Sequence, residues 1–170
     1  DAGDWALMPI QPMMLQACVI RRSTYLEIGG LPEQLLTRED TLLFFKLGLL
    51  YPACAVSGCG TIMTSDDNIR LTQVYDGRSL RYWDASVFLF REVLTSANSI
   101  SRERREVLTD SLSASYFSIG RIFFQQKNYL SAVKNLTISG FISPSLFIKI
   151  FLGSLGRRVL NAQKRSSHLL

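Results

Sequence analysis

Two adjacent carboxylates, Glu39-Asp40, lie within the stretch Arg21–Lys46, RRSTYLEIGGLPEQLLTREDTLLFFK, and a Gly-Gly dipeptide, Gly29-Gly30, precedes them. A carboxylate held at the start of a helix stays ionised beside the backbone amides and is suited to taking a proton from a hydroxyl. Two successive glycines let the chain turn with positive φ and let the backbone approach a neighbour closely. A later polar stretch, Ser65-Asp66-Asp67-Asn68-Ile69-Arg70, offers carboxylates that could face a metal and a cation that could meet a phosphate; a solvated turn capping the next helix accounts for the same residues. Thr37-Arg38-Glu39-Asp40 also fits a capping box, with Thr37 accepting from an orphan amide and Asp40 reaching back to the cap. Capping and proton abstraction by Asp40 are compatible roles.

The order of these pieces is informative. An apolar run is followed by Arg21-Arg22-Ser23, a short helical Tyr25-Leu26-Glu27-Ile28, Gly29-Gly30-Leu31-Pro32-Glu33, then Glu39-Asp40 with Leu43 and the cation Lys46 beyond. Over about the first 70 residues the chain resembles the acceptor-side half of inverting glycosyltransferases of family 2, of the GT-A type. Gly29, Gly30, Glu33, Glu39, Asp40 and Leu43 match that pattern, whereas Leu31, Pro32, Leu42 and Lys46 depart from it. The resemblance implies transfer of a sugar from a nucleotide-diphosphate sugar donor to an acceptor hydroxyl with inversion. It makes Asp40 the base, Glu39 its neighbour, Gly29 and Gly30 the acceptor-side turn, and Asp66, Asp67 and Arg70 weaker donor-proximal or metal-proximal candidates. It also implies a divalent metal, Mn or Mg, for the full-length enzyme and none for this chain, which reads as a fragment without the nucleotide-binding half. Asp1 and Asp4 lie too near Gly29 to be the family's metal-binding Asp-x-Asp and read as a solvated terminus.

These residues need elements to hold them. Met13–Ile20 is almost wholly apolar and short, the pattern of a strand buried on both faces. Ser23 caps a one-turn helix through Ile28. Thr37–Leu50 predicts a largely buried helix, with Leu43, Phe44, Leu47 and Leu50 on one side and Leu42, Phe45 and Leu49 nearly closing the circle. Ala53–Val56 and Thr61–Thr64 read as two short strands.

From Tyr75 the period becomes helical. Tyr75–Asn98 carries a broad apolar face, and Ser99 or Ser101 starts a further helix whose Arg102–Glu106 charge run is a solvated face. Tyr116, Ile119, Gly120, Phe123, Ala132, Leu136, Ser139 and Pro144 fall where one tetratricopeptide repeat has its large, small and terminal Pro positions, with Lys127-Asn128 as the turn. A single repeat does not bury its own face, so this hairpin reads as scaffold packed on its neighbours. Pro144, behind Ser143, opens a last helix that is more apolar than a surface helix, with Arg157, Arg158, Lys164 and Arg165 after it.

Composition bounds the rest. With 170 residues of which 47% are hydrophobic, the chain can bury a core. Its net charge of +5 suits a phosphate-bearing partner or an anionic membrane, but Lys and Arg are scattered, which argues against nucleic acid. Cys18, Cys54 and Cys59 show no ligand spacing and read as reduced, mostly buried thiols of a cytosolic protein. No apolar run reaches the length of about 18 residues that a membrane-spanning helix needs.

The expectation is therefore an α+β protein, mainly α: a partial GT-A α/β segment with short strands over 1–74 and a helical subdomain over 75–170, with a tetratricopeptide-like hairpin at about 101–142. The function expected is the acceptor-side portion of a glycosyltransferase, cytoplasmic, with peripheral membrane contact through the last helix as an added possibility. Its partners are the nucleotide-sugar donor and the hydroxyl acceptor through the full-length protein, and no nucleic acid. The alternative from another class is a helical protein-interaction or membrane-docking module without catalysis.

Overall fold

A computed structural model describes residues 15–54, 57, 77–96 and 100–153. After a 3-10 turn at Leu15–Ala17 come helices α1 (Arg22–Glu27), α2 (Glu39–Leu50), α3 (Leu80–Ser96), α4 (Arg102–Gln125) and α5 (Tyr129–Ile142), and then α6 over 144–153. Among the described residues there is no strand, which corrects the expected α+β class and its GT-A α/β segment. Of the apolar run expected as a buried strand, Met13 and Met14 lie outside the described residues, Leu15–Ala17 form the 3-10 turn, and Cys18–Ile20 are irregular with Val19 fully exposed. Ala53 and Cys54 are irregular as well, and Cys54 is exposed rather than buried; residues 55–56, Cys59 and Thr61–Thr64 lie outside the described residues. The reason is physical: a short apolar run has the period of several structures, and it becomes a strand only where a second strand takes up its amides and carbonyls.

The chain packs as two units, Asp1–Leu108 and Thr109–Leu170, with the division falling inside α4. In the first unit α2 is the organising element. Leu42, Leu43, Phe44, Phe45, Leu47 and Gly48 are all buried, so apolar side chains meet protein nearly all round the helix. One side joins Ile28 in a cluster with Leu43, Phe44 and Leu47, flanked by Leu15, Cys18, Ile20, Tyr25, Leu31 and Tyr51. Another side meets α3, where Phe45 lies edge-to-face on Phe90 at 6.1 Å and Lys46 pairs with Glu92 at 3.4 Å. Ala85, Ser86, Leu89, Phe90 and Val93 form the buried stripe of α3. Leu50, expected on the inner side, ends the helix exposed.

The second unit is built on small residues. Gly120 stands so close to α5 that an added Cβ would lie 2.8 Å from Cγ of Leu136 and 3.2 Å from the Ala132 carbonyl. Ser113 and Ser139 clasp across the same crossing: each hydroxyl donates to the other residue's carbonyl, at 2.9 and 2.8 Å, and the two oxygens are 3.1 Å apart. Both serines are fully buried, so each hydroxyl replaces the water it has lost. Past the end of α4, Lys127 takes a left-handed conformation, φ 62°, with the Asn128 amide bonded back to Phe123, and Asn128 then caps α5 by accepting from the Ser131 amide. Gly140 and Phe117 receive Phe147 of α6, and the Ser143 hydroxyl donates to Asp110 at 2.7 Å.

Candidate functional site

The Gly-Gly turn closes α1 as a Schellman motif. Gly30 N donates to the Tyr25 carbonyl at 2.9 Å and Gly29 N to that of Leu26 at 3.1 Å, and both glycines have positive φ, 82° and 65°. Beyond that backbone requirement, a Cβ on Gly30 would sit 2.9 Å from the Tyr25 ring, whose hydroxyl accepts from the Leu31 amide at 3.1 Å. The neighbour that Gly30 makes room for is therefore Tyr25 of the same turn. This accounts for the second glycine without an acceptor. α1 itself starts at Arg22 with no side-chain cap, so Ser23 lies within its first turn rather than at its cap.

Glu39 and Asp40 form the first turn of α2, partly buried. The expected capping box is not formed. The cap position is Arg38, in the left-handed region at φ 63°, and no side chain bonds to the orphan amides from there. Instead, Asp40 Oδ1 accepts from the amide of the next residue, Thr41, at 2.6 Å and from the Thr41 hydroxyl at 3.3 Å. These contacts orient the carboxylate at the amino end of a 12-residue helix. Gly29 follows Ile28, which packs on Leu43, Phe44 and Leu47, so the turn and the carboxylate helix share one core cluster.

Arg38 is the residue that reading the sequence missed. Its guanidinium lies 5.0 Å from the centre of the Tyr82 ring and 5.5 Å from that of Phe90, and it donates to the Ser86 hydroxyl at 2.5 Å. Ser86 Oγ in turn donates to the Tyr82 carbonyl at 2.6 Å. Burial pulls the Arg38 guanidinium below its ordinary value, while Tyr82 and Asp40 act the other way. A guanidinium does not give up its proton in a protein, so the side chain is a permanent charge held between two aromatic faces. It pins the start of α2 to α3 and so fixes the turn that carries Glu39 and Asp40. Tyr82, Ser86 and Phe90 are spaced i, i+4, i+8, which sets them on one face of α3, but that spacing by itself does not name a cation as the partner.

Asp66, Asp67 and Arg70 lie outside the described residues. Among the described residues no three His, Cys, Asp or Glu side chains converge. No family model, curated protein or solved structure matches this chain.

Proposed function

We propose that the chain supplies the acceptor-side carboxylate of an inverting glycosyl transfer from a nucleotide-diphosphate sugar to a hydroxyl, with Asp40 as the base. The observation that carries this reading is that the Asp40 carboxylate is oriented by Thr41 at the head of a helix whose start Arg38 locks to α3. The order of the Gly-Gly and Glu-Asp motifs supports it further. In such a step the acceptor oxygen forms its bond to the anomeric carbon as the bond from that carbon to the diphosphate oxygen breaks, and the hydroxyl proton passes to a carboxylate oxygen of Asp40. Glu39, beside it, shapes the acceptor pocket and adds negative charge near the attacking oxygen. Gly29 and Gly30 form the turn on the acceptor side.

Asp40→Asn tests the reading in protein expressed from the complete reading frame that contains this chain. An amide keeps the size and an acceptor oxygen for Thr41 but does not take the proton. Transfer from a panel of uridine and guanosine diphosphate sugars should fall ~10² to 10⁴-fold. The melting temperature should stay close to that of the parent. Transfer at the parental rate with an unchanged melt would sink Asp40 as the base and move attention to Glu39.

A further inference from the structure

The second unit leaves a stripe of large apolar side chains uncovered on the outside of α5. Leu130 is 86% exposed, Phe141 83% and Val133 61%, and Lys134 and Thr137 lie between them on the same side, opposite the buried Ala132 and Ser139. At 100° per residue these five positions fall within about a third of the helix circumference. The turn that leads into α5 continues the pattern. Phe124 and Tyr129 meet edge-to-face at 5.5 Å, both are exposed, and Lys127 stands between them in sequence. α6 adds Ile148 and Leu152 as exposed side chains, with Lys149 between them.

Charge says what covers the stripe. Thr109–Leu170 contains eight Lys and Arg but one acid, Asp110, and that carboxylate accepts from Ser143. Along the chain the basic residues are spread, as noted above; it is the acids that are segregated, and all of the others precede this unit. A second copy of the same surface would bring like charges together, which disfavours self-association through it. A lysine set within an apolar stripe, with tyrosine and phenylalanine at one end, matches what an interfacial helix needs: apolar groups below the headgroups, lysine stems along them, ammonium groups at the phosphates.

We propose that the outer face of α5 and the Phe124–Tyr129 turn dock peripherally on an anionic phospholipid surface. The docking is independent of the chemistry at Asp40 and goes beyond it. No helix among the described residues is long and apolar enough to cross a membrane, and the contact is with one leaflet.

Co-sedimentation of the purified chain with vesicles tests this. Partition onto phosphatidylcholine vesicles containing phosphatidylglycerol should rise with the anionic fraction and fall as salt shortens the screening length to about 3 Å near 1 M. Leu130→Glu with Phe141→Glu should lower it at least about tenfold, since two buried apolar side chains are removed from the contact. The circular dichroism melt should be unchanged, because both positions are exposed. Lys127→Glu with Lys134→Glu should weaken the salt-sensitive part, whereas Arg102→Glu with Arg104→Glu, on the first unit, should leave partition as it was. Failure to sediment with pure phosphatidylglycerol vesicles would overturn the proposal, as would sedimentation that the α5 changes do not alter. A concentration-dependent dimer that Phe141→Glu disperses, or saturable binding to an acidic helical peptide without vesicle binding, would assign the face to a protein partner and overturn it equally.

Discussion

The two units solve the same problem, holding two helices together, with opposite materials. Where α2 meets α3, a large charged side chain fills the crossing: Arg38 lies against Tyr82 and Phe90 and bonds to Ser86. Where α4 meets α5, the crossing is made of what is missing: Gly120 has no side chain, and Ser113 and Ser139 are small enough for their hydroxyls to reach the opposite backbone. The first arrangement depends on desolvated cation and ring contacts, and the second on distance. A cation crossing is therefore broken by truncation, and a small-residue crossing by addition.

Arg38→Ala should be the most damaging change. It removes a charge-assisted bond, typically about 1.5–3 kcal/mol, and cation–π contacts of about 0.5–2 kcal/mol, and leaves the buried Ser86 hydroxyl without that donor. A net loss of about 2–4 kcal/mol is expected in urea unfolding. Arg38→Gly sharpens the test, because glycine relieves the left-handed backbone at φ 63° and should be less costly than alanine by about 1 kcal/mol. Equal losses for the two variants would mean that the backbone at Arg38 is not strained.

In the second unit the matching experiment adds an atom. Gly120→Ala gains about 1 kcal/mol of helix propensity but places Cβ 2.8 Å from Leu136, and overpacking of this kind costs about 1–3 kcal/mol. The net effect should be a destabilisation of up to about 2 kcal/mol. Adding Leu136→Ala should recover part of the Gly120→Ala loss, so the double variant falls short of the sum of the singles. An additive pair would show that the helices do not approach as closely as the crossing requires.

How much of this was legible beforehand follows the same division. The buried helix after Glu39, the helix across 80–96 and the hairpin turning at Lys127-Asn128 rest on local period and local turn residues, and these stand in the sequence. The partners of Arg38 do not, since Ser86 is 48 positions away. A cation in Thr-Arg-Glu-Asp reads as part of a helix start until a second helix is laid beside it. The strand reading of Met13–Ile20 failed for a related reason: composition fixes what a run can bury but not whether another strand is present to pair with it. Gly30 gave the opposite lesson, because the tyrosine that explains it lies five residues upstream, within reach of a sequence reading that asked what packs against the turn.

The serine clasp should show a smaller effect and a clearer signature. Ser113→Ala removes one hydroxyl but leaves the Ser139 hydroxyl, which still reaches the Ser113 carbonyl, so each single change should cost about 1 kcal/mol. The double change leaves two carbonyls of helical backbone, each already within a helix ladder, and no buried hydroxyl. Its cost should therefore fall below the sum of the singles, with a coupling of about 0.5 kcal/mol or more.

The smallest effect expected is electrostatic and belongs to the first unit. Tyr51, just past α2, has its phenol raised above the ordinary value by a hydrogen bond to Glu27, then by burial, then by the Glu27 charge. A raised folded value means that the native state holds the proton more tightly than the unfolded chain. The contribution is then fully present below the unfolded phenol value of about 10 and is lost as pH rises through the folded value. Because the group is open to water, the effect should be slight beside those at Arg38 or Gly120. Urea unfolding of the parent and of Tyr51→Phe should differ at pH 8 and converge toward pH 11, with other alkaline titrations common to both proteins. A difference that persists unchanged to pH 11 would show that Tyr51 contributes by packing on Ile28, Leu43, Phe44 and Leu47 and not through Glu27.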